Sequence, residues 1–278
     1  MDSSKTHAPY LLARRAFGTW LLALAGGCGG GGAGSDAPAQ SPGSAAGEAP
    51  QSAEEALPVF LLLGQSNMVG HGADPKELSA ELVASVSALV FAGGAWETLR
   101  PSGAYQEPGS YKGMGFSPEI GLALALGRVG VVKSAANGSS LVNDWAHGGR
   151  ERAKALALAK AALASRPSRL AGVLWMQGES DSFDEGPARA YRDNLRELVA
   201  SLRAELGAPG VPFVAVRISP SVNFVQRDVV RGAQMDPGIA RYAWIDTDDL
   251  DHGEDAVHFT GQAELELGRR FAKAFSGF

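Results

Sequence analysis

The chain has 278 residues, 45% hydrophobic and 20% charged, an ordinary globular composition that excludes wholesale disorder. Asp and Glu number 30 against 25 Lys and Arg, and this net charge of −5, with no basic cluster, argues against a nucleic-acid binder. The single cysteine, Cys28, excludes an internal disulfide framework and any multi-cysteine zinc site.

Arg14 and Arg15 precede an apolar run, Ala16 to Ala25, which ends in Gly26, Gly27 and Cys28. Basic start, short apolar stretch and small residues at its end describe an export signal over residues 1–27. The run falls short of the ~20 apolar residues that cross a bilayer. Leu24-Ala25-Gly26-Gly27-Cys28 resembles the lipobox of bacterial lipoproteins. That resemblance implies lipidation of Cys28 and an envelope anchor; simple cleavage to a secreted form stays open. Residues 28–57 are rich in Gly, Ala, Ser and Pro and hold no large apolar side chain before Leu57. Such a linker cannot offset its ordering entropy by burial, and its r.m.s. span would be about 30 Å.

Residues 58–278 read as one α/β domain. Five short apolar runs recur along it: Val59–Leu63, Val129–Lys133, Ala171–Met176, Pro212–Ile218 and Tyr242–Ile245. Nearly unbroken Val, Leu, Ile and Phe suit strands buried on both faces of a mainly parallel, five-stranded sheet. Between the runs, Arg150–Arg166, Ala188–Leu206 and Val225–Met235 read as helices. Leu267, Phe271, Ala274 and Phe275 mark a last helix by their i, i+4, i+7, i+8 spacing, with Thr260 placed to cap it. A further helix is expected around Pro75–Leu89, within a Gly-rich stretch, 72–116, that would shape a substrate mouth. Open parallel sheets bind ligands beyond their C-terminal strand ends, and the polar motifs follow the strands directly.

A serine hydroxyl is a weak nucleophile until a base removes its proton. His258, in Asp255-Ala256-Val257-His258-Phe259, can be oriented by Asp255 in a tight turn, which leaves its other ring nitrogen for the sheet edge. Ser66 is the candidate nucleophile, because Gly64 ends the first strand and permits a sharp turn; a helix cap is the alternative role. Met68 stands where an α/β-hydrolase elbow needs Gly, so that motif is absent. His252 is expected to be a solvated loop residue. The histidines lack the H-E-x-x-H spacing of a metallohydrolase, so no metal site is expected.

Gly64-Gln65-Ser66-Asn67-Met68, Trp175-Met176-Gln177-Gly178-Glu179-Ser180-Asp181 and Asp255-Ala256-Val257-His258-Phe259 occur in one order and spacing, joined by Arg231-Gly232-Ala233-Gln234. Together they resemble the sialate O-acetylesterase-like (SASA) branch of the SGNH hydrolases, which includes carbohydrate esterase family 6. The resemblance implies a flavodoxin-like three-layer α/β/α fold, no cofactor, and removal of O-acetyl groups from a glycan by a Ser66–His258–Asp255 triad through an acyl-enzyme. It places the oxyanion on the Ser66 N–H, the Gln177 amide and a glycine N–H. Gly138 fits that last role, although Ser139 replaces the second glycine of the family's pair. Glu179 and Asp181 are read as ties for the turn after the third strand rather than a glycosidase pair. Trp96, Tyr105, Tyr111 and Trp145 are candidate sugar-stacking surfaces or simply core and rim. A lipase or thioesterase on the same machinery, and a non-catalytic carbohydrate-binding lipoprotein, remain the rival readings.

Overall fold

The protein's structure, a computed structural model, describes residues 55–101 and 115–278. The expected signal, Cys28, the linker as far as residue 54, and Tyr105 and Tyr111 lie outside the described residues. Strand β1 (Leu57–Gly64) sends Leu57, Val59, Leu61 and Leu63 into one apolar layer and Phe60 and Leu62 into the other. Successive strand side chains point to opposite faces, so burial on both faces gives the unbroken apolar run seen in the sequence.

In chain order there follow α1 (Ser66–Val69), α2 (Ala80–Ser85), β2 (Leu89–Ala92), β3 (Ala95–Thr98), α3 (Glu119–Leu126), β4 (Gly130–Ala135) and α4 (Arg150–Ala164). Then come β5 (Ser168–Met176), α5 (Glu185–Glu205), β6 (Phe213–Val216), α6 (Arg227–Met235), β7 (Tyr242–Ile245) and α7 (Gly261–Phe275). The sheet order is β3-β2-β4-β1-β5-β6-β7, and every pairing is parallel except β2 with β3. The five expected runs are β1, β4, β5, β6 and β7, so among the described residues the sheet has seven strands rather than five.

The helix expected around Pro75–Leu89 is broken into two short pieces, and the two extra strands follow it. Asp74 caps a 3-10 turn at Pro75–Glu77, and Ser79 restarts the chain as the short α2 by accepting from the Leu82 N–H. Gly93 and Gly94, at φ 57° and 84°, then fold β2 back onto β3 as a two-residue hairpin.

Helices α4, α5 and α6 cover one face, burying Leu156, Leu195, Leu198 and Val230 around Trp145 and Trp175. Helices α3 and α7 cover the other, where Ile120, Leu122, Leu267 and Phe271 meet Phe60 and Leu62. Thr260 caps α7 by accepting from the Ala263 N–H at 3.4 Å, as its position in the sequence implies. Behind β1 the buried Lys133 ammonium holds both Glu119 oxygens at 3.2 Å. Glu264 beside them is fully buried, and burial first and the Glu119 charge second push its carboxyl far above the usual range.

The chain leaves β1 toward β2 on one side and crosses from β4 to β5 on the other. This reversal falls at the C-terminal ends of β4, β1 and β5, the place where such sheets bind ligands. No helix among the described residues is long and apolar enough to cross a membrane.

Candidate active site

Gly64 ends β1 at φ 151°, and a Cβ there would lie 2.0 Å from the Met176 carbonyl oxygen, so no other residue fits. The Gln65 N–H donates to that oxygen at 2.8 Å, and the Gln65 side chain accepts from the Gly178 and Ser180 N–H groups at 3.4 Å. These bonds lock the turn after β1 to the turn after β5. Ser66 is the first residue of α1 and is 8% exposed. Its N–H belongs to the opening turn of a helix, where no intrahelical acceptor exists.

His258 and Asp255 occupy a loop closed on itself before α7. The Gly253 N–H donates to the His258 carbonyl at 2.8 Å, and the Thr260 N–H donates to that of Asp251 at 3.2 Å. His252 is not a solvated loop residue. It bridges Phe259 in antiparallel fashion and its ring lies 4.5 Å from the Phe259 ring, because this closure needs a half-buried partner. Ala256, at φ 55°, turns the chain between Asp255 and His258. Asp255 Oδ1 accepts from the Val257 and His258 N–H groups at 2.9 Å, and its Oδ2 lies 2.6 Å from His258 Nδ1. Partial burial opposes ionisation of Asp255, but these hydrogen bonds and the His258 charge outweigh it and hold its pKa at about 2.

Asn67 joins the two halves. Its Nδ2 donates to Glu179 Oε1 at 2.9 Å and to the Val257 carbonyl at 3.3 Å, and its Oδ1 accepts from the Phe259 N–H at 3.1 Å. The residue after Ser66 therefore grips both chain neighbours of His258. His71 adds a second contact: its N–H donates to the Ser66 carbonyl at 3.0 Å, and its ring lies 4.1 Å from the His258 ring. A Cβ on Gly72 would stand 3.2 Å from His258 Cβ. Ser66, Asp255 and His258 are thus gathered at one sheet edge, with the His258 loop fastened to the Ser66 turn.

The turn after β4 is held there too, since the Ala136 N–H donates to the Gly64 carbonyl at 3.1 Å. Gly138 sits exposed in that turn at φ 66°, with nothing within 4 Å of where a Cβ would be. Gln177 is fully buried and its amide is engaged: Nε2 donates to Asp181 Oδ2 at 2.6 Å and to the Ser139 carbonyl at 3.1 Å. Exchanging its N and O would set the amide oxygen against the Asp181 carboxylate, so the hydrogen bonds fix this orientation. The Ser139 bond is the longer of the two.

Asp181 also accepts from the Leu141 and Val142 N–H groups at 2.7 and 3.1 Å, and burial raises its pKa above the usual carboxylate range. Its hold, like that of Glu179 on Asn67, reaches beyond the turn after β5 to other loops. Trp145 is not a sugar platform: it is wholly buried, edge-on to Trp175, and its indole donates to Ser139 Oγ at 2.9 Å. Trp96 lies on β3 away from the mouth, with its indole N–H on Ser165 at the end of α4.

Four residues bear on the site without having stood out in the sequence. Asn67 and Gln65 lay inside the motif without a role, and His71 was one histidine among several. Tyr191, which donates to the Gln177 carbonyl at 2.6 Å, shares that oxygen with Gln234 Nε2 at 3.0 Å; only Gln234 carried a motif signal. Ligand atoms of His71, Asp255 and His258 all lie within 4.8 Å of one another, a group that could hold a metal ion.

Replacing Asp255 by Asn is expected to lower kcat by ~10⁴, the cost of the wrong imidazole tautomer. The depressed Asp255 pKa also stabilises the fold fully above the unfolded value of about 3.9, and that contribution is lost as pH falls toward about 2. Denaturation midpoints of wild type and Asp255→Asn should therefore converge as the solution is acidified through this window.

Comparison with known proteins now places the chain. Residues 56–277 match the family model of SASA, described as a carbohydrate esterase, sialic acid-specific acetylesterase. A probable carbohydrate esterase of Arabidopsis thaliana is 28% identical over 255 residues, covering 82% of this chain and 95% of the relative. A crystal structure from that plant superposes with a TM-score of 0.71 at 25% identity, over 79% of this chain and 97% of its own. The crystal structure of NanS shares the fold (TM-score 0.63, 16% identity, 81% and 98% covered). So does a carbohydrate acetylesterase from Xanthomonas citri (TM-score 0.53, 20% identity, 78% and 55% covered). The chain belongs to the SASA family of carbohydrate esterases and is a carboxylic ester hydrolase of the carbohydrate acetylesterase type.

Proposed function

We propose that this protein is an exported serine esterase that removes O-acetyl groups from carbohydrate through an acetyl-enzyme on Ser66. The observation that carries the reading is the 2.6 Å contact of Asp255 Oδ2 with His258 Nδ1 in a loop that Asn67 fastens to the Ser66 turn. Because Asp255 is anionic, it keeps the proton on Nδ1 and leaves the Nε2 lone pair for the serine. Ser66 Oγ attacks the acetyl carbon while His258 Nε2 takes its proton. The tetrahedral oxyanion falls to the Ser66 N–H, the Gly138 N–H and the Gln177 amide, each donor being worth ~2.7–4 kcal/mol where it acts. Collapse expels the sugar oxygen, which receives the proton from His258. Water then repeats the sequence on acetyl-Ser66 and frees acetate.

Export rests on the Arg14-Arg15 signal pattern, and a lipid on Cys28 would anchor the enzyme to the envelope, with the linker as its tether. The test is acetate release from acetylated xylan and from O-acetyl sialic acid, beside a series of longer acyl esters. Release from a carbohydrate acetate, lost in Ser66→Ala, is the expected result. Cleavage of the longer esters alone would move the assignment to a lipase-type enzyme.

A further inference from the structure

His71 and His258 come from opposite ends of the domain, yet their rings lie 4.1 Å apart between centroids at a 36° tilt. With Asp255 they bring two imidazoles and one carboxylate together, the ligand atoms all within 4.8 Å. The hydrolysis above uses only His258 and Asp255, and leaves His71 without a chemical task. We propose that His71, His258 and Asp255 form an inhibitory site for zinc, or a similar late transition-metal cation, which stops the esterase by occupying its base.

Donor set and geometry both favour this class of ion. Two imidazoles and a carboxylate with an open fourth position suit zinc, whereas calcium and magnesium prefer all-oxygen shells. Zn–N and Zn–O bonds of ~2.0–2.2 Å put the ligand atoms of a tetrahedral site ~3.4 Å apart, so modest side-chain rotation closes the group around an ion. The backbone is already placed: the His71 N–H is on the Ser66 carbonyl, and Asp255 Oδ1 is held by two backbone N–H groups. Oδ2 retains a lone pair beyond its bond to His258.

Charge agrees. Asp255 is ionised at any working pH, its pKa being held at about 2 against partial burial. Burial first and the neighbouring His258 second lower the pKa of His71, an effect Asp255 partly opposes.

Either mode of binding disables the base. A metal on His258 Nε2 takes the lone pair that would deprotonate Ser66. A metal on Nδ1 displaces the proton shared with Asp255, and in a neutral imidazole that proton moves to Nε2, with the same result. Zinc should therefore lower kcat toward zero, and a chelator should restore it.

The inhibition arm rests on the esterase reading, and the binding arm does not. The zinc concentration giving half-inhibition of aryl acetate hydrolysis is to be compared in wild type, His71→Ala and His71→Gln. Calorimetric zinc binding is to be compared in Ser66→Ala with and without His71→Ala, the fold of each being checked by circular dichroism. The expected result is reversible inhibition whose half-inhibiting concentration rises at least tenfold in both His71 variants. One zinc per chain should bind to Ser66→Ala, and that site should weaken equally when His71 is removed. Unchanged zinc sensitivity in a folded His71 variant, or Ser66→Ala binding indifferent to His71, would overturn the proposal. Wild type left fully active by zinc while Ser66→Ala binds it through His71 would instead overturn the role of His258 as base.

Discussion

Ser66→Ala is expected to lower kcat for an aryl acetate by ~10⁴–10⁶-fold, the scale of loss when a triad nucleophile is removed. The fold should survive, since the change deletes one oxygen from a four-residue helix and strands no buried charge. Gly64 and Gln65 keep the turn through their approach to Met176, Gly178 and Ser180. The deletion of one hydroxyl leaves the rest of the site in place, so binding of an acetylated sugar to the variant should persist while turnover vanishes. Steady-state kinetics together with calorimetry on the same preparation check both halves.

Asn67→Ala should harm the enzyme in another way. It removes three hydrogen bonds at 2.9, 3.1 and 3.3 Å, and it leaves Glu179 Oε1 and the Phe259 N–H buried without their partner. A net value of ~0.5–1.5 kcal/mol for each of the three bonds gives a loss of roughly 1.5–4.5 kcal/mol in stability, with the stranded groups favouring the upper end. Burial first and the Asp181 charge last already raise the Glu179 pKa, against the help of Asn67, so the variant should drive that carboxyl higher. The His258 loop also loses its fastening to the Ser66 turn. A misplacement of ~1 Å in a catalytic group can cost 10²-fold, so kcat should fall more than KM changes. Urea denaturation and kinetics at a temperature where the variant remains folded separate the two effects.

What could be read from the chain depended on how local each signal was. Strands β1 and β5 were legible because both faces are buried, which prints a continuous apolar run. Strand β2 is a short apolar run, Leu89–Ala92, that continues directly from the stretch read as a helix, and β3 is largely exposed, so only Gly93-Gly94 marked the pair as a hairpin. Helix α3 buries Glu119–Ala123 as an unbroken stretch against α7 and the sheet. It therefore shows no helical period by which the sequence could mark it.

At the site, Ser66, Asp255 and His258 stood in motifs that could be read directly. Asn67 could not be given its role, because its partners lie 112 to 192 positions away. The tilted contact of His71 with His258 and the grip of Asp181 on Gln177 and Leu141 are tertiary in the same sense. Trp145 stayed open between sugar platform and core for a simpler reason. An aromatic residue near a catalytic loop has the same letter whether it faces sugar or core.

A fluorophosphonate reacts only with a serine that a neighbouring base has made nucleophilic, so the mass of the labelled chain tests the assembled triad most directly. One label per chain is predicted, on the peptide containing Ser66, absent from Ser66→Ala and greatly slowed in His258→Ala. Labelling that persists in Ser66→Ala, or proceeds at the wild-type rate without His258, would contradict it.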